Sequence, residues 1–208
     1  VSTTGSITVN EGDADDTGVL AGTSGNVLLE TRAANGDVVL NADVESGTGH
    51  ISLVATDDVD INGTITIGTT VGGTVYISAA NGTVDGVGSD GIVMAAGTSI
   101  TTTTAAGNVL LTAGNESDIV LGLINAGAGD VSLSAERDIL DSGVVLNVQA
   151  AALRMVADSD SDAAGQIGQA DAANGTPATN ANAIATQVTT LAAKSADGIY
   201  VLESDGVT

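Results

Sequence analysis

Short runs in which apolar and polar residues alternate recur along the chain. The clearest run covers residues 107–121, and a near copy of it, at 129–140, begins 22 residues later. Each run opens with a glycine and a small polar residue, and an Asp-Ile step follows the first apolar group. Successive side chains of a strand point to opposite faces, so each run predicts a β-strand with one buried face. A repeat of this length is typical of one coil of a solenoid.

These repeats divide most of the chain into coils of about 22–24 residues. The coils are residues 25–48, 49–72, 73–106, 107–128 and 129–150, and the longer third coil predicts an excursion at 81–91. No long helical pattern separates the strands, so strands that return at this period should lie parallel, one coil above the next. The chirality of parallel crossovers favours right-handed winding. We therefore predict an all-β fold, a right-handed parallel β-helix.

The pattern becomes less regular after residue 150. Residues 158–183 are rich in Asp, Asn, Ala and Gly and contain the single proline, Pro177. We predict one long loop at 158–183, interrupted by a short strand at Gln166–Ile167. Alternation returns at 184–193, where a helix is the competing prediction, and again at 198–202.

The composition agrees with a stack of thin layers. The chain has 208 residues with no Phe, Trp or Cys and two Tyr, so Val, Ile, Leu and Ala must build the interior. Aromatic side chains contribute much of the buried area in irregular cores, whereas small branched side chains pack well over copies of themselves. We treat residues 1–208 as a single solenoid segment, and its start at Val1 indicates a piece of a longer repeat protein or fibre.

The charge excludes several classes of partner. The chain carries 26 acidic residues against four Lys and Arg, a formal net charge of −22. Nucleic-acid binding depends on cations that neutralise phosphates, so we expect no nucleic-acid partner. No apolar run is long enough to span a bilayer, and we expect no membrane insertion. An acidic surface of this kind suits a saline medium or divalent cations.

The glycine-started Val-x-Leu-x-Ala strands followed by Asp-Ile steps resemble the β-helical repeats of filamentous-haemagglutinin-type bacterial adhesins. The resemblance covers residues 5–157 and 184–208. It implies a right-handed parallel β-helix within a very long secreted protein, where it serves as a stalk or fibre. The expected location is therefore extracellular or on the cell surface.

One acidic cluster points to a metal ion. Asp158, Asp160 and Asp162 have the alternate spacing that opens an EF-hand loop, where such carboxylates converge on calcium. The EF-hand pattern does not continue, because Ala163 stands at its glycine position and Gln169 at the position of its bidentate glutamate. We predict a candidate calcium site at the three aspartates and no other cofactor. A solvated acidic loop is the alternative.

Catalysis has to be weighed because parallel β-helices also carry polysaccharide-active enzymes. Residues 48–52 are similar to the Gly-His-Gly-Ile-Ser segment of pectin-hydrolysing β-helices, and Asp57-Asp58 resembles the carboxyl pair that glycoside hydrolysis needs. The second glycine, the Arg-x-Lys element and aromatic sugar platforms are missing. We therefore expect no enzymatic activity and predict that His50 is a surface residue beside a strand. Threonines do not recur once per coil, which disfavours an ice-binding array.

The sequence thus predicts a structural function. We expect a component of an extracellular bacterial fibre or adhesin stalk that stacks end to end on copies of itself or on neighbouring repeats. No amphipathic helix flanks the strands at 5–9 and 198–202, so both solenoid ends should expose strand edges. Two alternatives remain: an adhesin module that binds a glycan or receptor through the 158–183 loop, and a β-helical polysaccharide-active enzyme.

Overall fold

The computed structural model describes residues 1–12, 15–79, 91–102, 106–170 and 182–207. Its regular elements in these ranges are all β-strands, and none of the described residues forms a helix that could cross a membrane. In chain order the strands are β1 (Ser2–Thr3), β2 (Ile7–Val9), β3 (Thr17–Ala21), β4 (Val27–Thr31), β5 (Val38–Leu40), β6 (Asp43–Ser46), β7 (Ile51–Ala55), β8 (Val59–Ile61), β9 (Thr66–Thr69), β10 (Val75–Ala79), β11 (Gly91–Met94), β12 (Ser99–Thr101), β13 (Val109–Ala113), β14 (Asp118–Leu121), β15 (Leu123–Asn125), β16 (Asp130–Ala135), β17 (Ile139–Asp141), β18 (Val148–Val156), β19 (Gln166–Ile167), β20 (Ile184–Lys194), β21 (Gly198–Ile199) and β22 (Val201–Glu203).

Two sheets build the molecule, and their strands pair in parallel throughout. Sheet B has eight strands, one per coil, in the order β2-β5-β8-β11-β14-β17-β19-β21. Sheet A has a first arm, β1-β4-β7-β10-β13-β16, and a second arm, β3-β6-β9-β12-β15. Strand β18 pairs with both β16 and β15 and so connects the two arms, and β20 and β22 follow it in the stack. Because the chain visits the first arm, sheet B and the second arm once per coil, the predicted parallel β-helix is confirmed. Eight coils about 4.8 Å apart give an axial length of about 34 Å.

Equivalent positions of successive coils form columns of buried apolar side chains. In the first arm, Val109 lies beside Val131 and Leu111 beside Leu133, and all four are buried, as predicted. The sheet B column consists of Val38, Val59, Ile92, Ile119, Ile139 and Ile167, each with no exposed surface. The alternation in the sequence therefore separates the interior from the surface, as expected for strands with one buried face.

The coil length agrees with the predicted period in the regular part of the stack. Hydrogen-bonded positions of adjacent coils are 24 residues apart for Asn26 and His50 and 22 apart for Asn108 and Asp130. A longer step of 33 residues separates Asp58 from Gly91, yet the sheet B register is kept. The excursion predicted at 81–91 lies outside the described residues except for Gly91, which begins β11.

A column of glycines allows the coils to approach closely at the corner before the first arm. A Cβ atom on Gly107 would lie 2.3 Å from the carbonyl oxygen of Gly73, and one on Gly129 would lie 2.1 Å from that of Gly107. No side chain fits at such distances, which explains why each coil opens with glycine. The column continues until Ala151, whose N–H donates to the Gly129 carbonyl at 2.9 Å.

The last coils differ from the regular ones. The corner between the second and first arms straightens there, so that β18 runs for nine residues and β20 for eleven. Residues 150–152 supply three alanines where the preceding coil has the glycine-containing corner 126–129. The strand prediction for 184–193 is confirmed, and the competing helix is wrong.

The segment 158–183 is attached to the stack near its middle. Gln166–Ile167 forms β19 and pairs with β17 and β21 in sheet B, as the predicted short strand. The predicted short strand therefore divides the 158–183 segment into two connections, as expected. Residues 171–181 of the second connection lie outside the described part of the chain.

A buried charge tests the assignment of the interior. Leu133 in β16 is fully buried, whereas Leu110 in the adjacent β13 points outward and is 37% exposed. We expect Leu133→Asp to lower the free energy of unfolding by about 3–5 kcal/mol, because the new carboxylate has no partner in the core. Leu110→Asp adds the same charge and should change it by less than about 0.5 kcal/mol. Urea denaturation followed by circular dichroism measures both, and an unchanged midpoint for Leu133→Asp would contradict the assignment.

Candidate functional site

The three aspartates of the predicted calcium site lie close together. One carboxylate oxygen from each of Asp158, Asp160 and Asp162 can be chosen such that all three lie within 4.8 Å of one another. Asp158 is buried and the other two are exposed. Asp158, Ser161 and Ala163 all adopt positive φ, which folds the segment back on itself and brings the carboxylates together. The local spacing of the sequence therefore produced the expected convergence.

Part of this acidic cluster is already engaged with the backbone. Asp158 Oδ1 accepts the N–H of Ala163 at 3.0 Å, and Asp162 Oδ1 accepts the N–H of Ala164 at 2.9 Å. Calcium takes six to eight oxygen ligands, and three carboxylates with two engaged oxygens supply only part of such a set. The donor chemistry fits calcium, with water or further oxygens completing the shell. A solvated acidic loop held by the same two hydrogen bonds fits the geometry equally well.

Calorimetric titration checks the calcium prediction. We expect weak binding in the millimolar range of extracellular calcium modules, because few protein oxygens converge here. Asp160→Asn together with Asp162→Asn should abolish the heat of binding, while Asp15→Asn together with Asp16→Asn removes the same charge from another acidic turn and should not. Absence of calcium heat at millimolar concentrations would remove the site.

A ladder of carboxylates follows the corner between the first arm and sheet B. Oδ1 of Asp58 accepts the N–H of Gly91 at 2.7 Å, and Oδ1 of Asp118 accepts the N–H of Asp138 at 3.0 Å. Oδ1 of Asp138 in turn accepts the N–H of Gln166 at 2.8 Å. Each aspartate thus accepts a backbone N–H of the next coil at the point where the sheet B strand of that coil begins. This explains the recurring Asp-Ile steps of the sequence and gives Asp58 a backbone-capping role.

A second row of caps lies at the glycine corner. Oδ1 of Asn26 accepts the N–H of His50 at 2.8 Å, and Nδ1 of His50 accepts the N–H of Thr74 at 3.0 Å. One turn further, Oδ1 of Asn108 accepts the N–H of Asp130 at 2.9 Å. His50 is exposed beside β7, where the sequence placed it. Its imidazole performs the same task as the neighbouring asparagine amides.

Buried hydroxyl groups near the glycine column were not predicted from the sequence. Ser46, Thr69 and Thr102 point inward from the second arm, and each is at most 3% exposed. They donate to the carbonyl oxygens of Gly25, Gly73 and Gly107 at 2.7, 3.1 and 2.6 Å. The sequence signal for Thr69 and Thr102 is a hydroxyl residue four or five positions before a coil-opening glycine. Because these threonines face inward, the 64–70 and 101–102 segments do not present one continuous threonine array.

Asp60 is the half-buried acid on the outer face of sheet B. It lies in β8 between Val39 and Val93 of the adjacent coils. Burial raises the pKa of its carboxyl group, and the negative charge of Asp37 raises it further. A carboxyl group whose folded pKa exceeds its unfolded pKa favours folding most when it is protonated. That contribution is fully present below the unfolded pKa and is lost as the pH rises through the folded pKa.

Neutralising Asp60 should therefore stabilise the protein at neutral pH. We expect Asp60→Asn to raise the melting temperature at pH 7, because the amide has a similar shape and carries no half-buried charge. The gain should vanish below about pH 3, where aspartate is protonated even in the unfolded chain. Melting curves over this pH range measure the effect. Asp130→Asn, at an exposed position, is the matched charge control, and an identical response of both variants would contradict the prediction.

The core columns reach both ends of the stack. Ile199 follows Ile167 in the sheet B column, yet Ile199 is 47% exposed while Ile167 is fully buried. Leu191 continues the first-arm column beyond Leu153 and is only partly buried, as is Ile7 at the opposite end. Within the described ranges no segment covers these side chains. Each end therefore leaves members of the apolar columns partly exposed.

Glu203 closes part of the C-terminal edge. Its carboxylate accepts the hydroxyl of Thr186 at 2.6 Å and the N–H groups of Val188, Ser204 and Asp205 at 3.4, 3.0 and 3.1 Å. Burial opposes its ionisation, but the hydrogen bonds from Thr186, Asp205 and Val188 outweigh burial and lower the pKa of Glu203. The second-arm half of β20 is thus covered by β22 and this carboxylate. In the first-arm half, residues 190–194 pair with β18 on one side and with no other strand that the structure describes.

Comparison with known proteins returns no match to a protein-family model, a curated protein or a solved structure.

Proposed function

We propose that this chain is a structural segment of an extracellular fibre or adhesin stalk of the filamentous-haemagglutinin type, which stacks end to end with further coils. The observation that carries the proposal is the change in exposure along the sheet B column. Its members have no exposed surface from Val38 to Ile167, and then Ile199 is 47% exposed. A further coil on this end would bury Ile199 as each earlier coil buries the member beneath it.

The hydrogen bonding between coils supports a rod-shaped assembly. Each strand bonds to its equivalents in the coils above and below, so stability is a sum of coil and neighbour terms and the stack can be extended. The two ends differ in their side chains but share strand direction and column positions. Contacts between unlike ends produce open linear assemblies when the rotation does not close.

The distribution of charge also favours axial over lateral contact. Several of the acids that give the net charge of −22 lie on the corners between the sheets, among them Asp37, Asp58 and Asp138. Sides that carry such rows repel one another at low ionic strength. Ile7, Leu191 and Ile199 are inward apolar side chains at the ends, so stacking removes apolar surface from water. Glu203, the inward position beside Thr186 at the C-terminal end, already has hydrogen-bond donors within its own chain.

The length of particles in solution tests this function. At high protein concentration and about 0.15 M salt, where the screening length is about 8 Å, we expect particles of constant width whose length grows in multiples of one stack. Analytical ultracentrifugation and electron microscopy measure this growth. Ile199→Lys should abolish it, because the ammonium cannot be buried against the next coil.

Val145→Lys is the matched control. Val145 is 97% exposed on the loop between β17 and β18, away from the ends of the stack, so the same substitution there should leave growth intact. Melting curves establish that both variants remain folded. A wild-type chain that stays monomeric at high concentration, or an Ile199→Lys variant that grows like the wild type, would contradict end-to-end stacking.

A further inference from the structure

Two chemically identical Asn-Gly steps lie in very different surroundings. The sequence contains four such steps, of which Asn35-Gly36 and Asn62-Gly63 belong to the described residues. Asn-Gly steps are the sites where a protein backbone most readily rearranges, because glycine offers the least steric hindrance to attack on the preceding side chain. The two steps therefore form a natural comparison within one chain.

The Asn62-Gly63 step lies on the surface, where the Asn62 N–H donates to the Leu40 carbonyl oxygen at 2.9 Å and the space beside Gly63 is open. Asn62 and Gly63 are exposed in the turn between β8 and β9. A Cβ atom on Gly63, whose φ is +72°, would meet no atom within 4 Å. Asn62 is the last member of an exposed amide ladder, since its Nδ2 donates to Asn41 Oδ1 at 3.2 Å and that of Asn41 donates to Asn10 Oδ1 at 2.9 Å. In the part of the chain that the structure describes, the Gly63 N–H has no hydrogen-bond acceptor.

The Asn35-Gly36 step is fixed on both sides. Gly36 is buried, and its N–H donates to Thr56 Oγ1 at 3.1 Å. Its carbonyl oxygen accepts the hydroxyl of Thr31 at 2.7 Å. A Cβ atom on Gly36 would lie 2.8 Å from the Cβ of Thr31, so the space beside Gly36 is filled. The hydroxyl of Thr56 also bonds to the carbonyl of Ala33 and ties the whole corner to the next coil.

We propose that Asn62 is a site of spontaneous deamidation and isoaspartate formation in the folded fibre segment, and that Asn35 is protected from it. The backbone nitrogen of Gly63 attacks Cγ of Asn62, so that an N–Cγ bond forms and the Cγ–Nδ2 bond breaks. The amide nitrogen leaves as ammonia and carries the proton that Gly63 loses. Solvent water then opens the cyclic imide at either carbonyl and leaves aspartate or isoaspartate, with no change of oxidation state.

The product changes the surface of the solenoid in a defined way. One neutral amide becomes a carboxylate, and the end of the amide ladder loses the donor that bonded to Asn41. In the isoaspartate product the turn between β8 and β9 also gains one backbone methylene. The modified turn lies on the side of the stack, so the inference is independent of stacking at the ends.

Peptide mass spectrometry of the intact, unglycosylated chain tests the proposal. The folded protein is incubated in mildly alkaline buffer and then cleaved after glutamate, which separates Asn35, in residues 31–45, from Asn62, in residues 46–116. Electron-transfer fragmentation distinguishes aspartate from isoaspartate and Asn62 from Asn81. We expect Asn62 to convert at least about tenfold faster than Asn35, since reaction at Asn35 requires breaking the Gly36–Thr56 hydrogen bond and opening a buried corner.

The same chain unfolded in urea provides the matched control, because both steps then have equivalent freedom and should react at similar rates. In Thr56→Val, which removes the acceptor for the Gly36 N–H, Asn35 should react faster while Asn62 is unaffected. Equal rates at the two sites in the folded chain would overturn the proposal. So would an Asn62 that stays intact over the period in which the unfolded chain reacts, or a Thr56→Val chain in which Asn35 remains as slow as before.

Discussion

The hydrogen bonding of each coil to the next sets the conditions that every other part of the structure must meet. Parallel strands about 4.8 Å apart leave little space between equivalent backbone atoms at the corners. At the sharpest corner only glycine fits, and the 2.3 Å between a Cβ on Gly107 and the Gly73 carbonyl oxygen shows why. In the interior the same spacing selects side chains that pack over copies of themselves. The chain has no Phe or Trp, and its Val, Ile, Leu and Ala side chains suit this spacing.

Backbone groups at the corners lie outside the strand ladders and need other partners. Three rows of side chains supply them: the aspartates before sheet B, the amides and His50 at the glycine corner, and the inward hydroxyls of Ser46, Thr69 and Thr102. An unsatisfied buried backbone group costs about 1–3 kcal/mol. The rows therefore hold the corners by chemistry that several residue types can provide. This is why a histidine that looks like a candidate for catalysis occupies an asparagine position.

The fold could be predicted from the sequence because its determinants are local and repeated. Alternation, coil-opening glycines and Asp-Ile steps each report on one coil, and the convergence of Asp158, Asp160 and Asp162 follows from spacing within five residues. Individual contacts that depart from the regular spacing of the coils were not predicted. The hydrogen bond from the Gly91 N–H to Asp58 spans 33 residues. The corner at β18 straightens where alanines replace a coil-opening glycine, and the need for that glycine comes from its close contact with the adjacent coil. The composition of 158–183 likewise did not predict that β19 pairs with strands on both sides in sheet B.

The connections between strands differ in length, and this difference has a consequence for how the sequence of such a protein can diverge during evolution. Between Asp58 and Gly91 the chain inserts extra residues, yet the next strand returns to the same register. Rise along the axis is therefore independent of the length of the connections. Rod length can change only in whole coils, by duplication or loss of one repeat. Connections between strands can differ in length without altering the rod, so the length of the chain and the length of the rod are set separately.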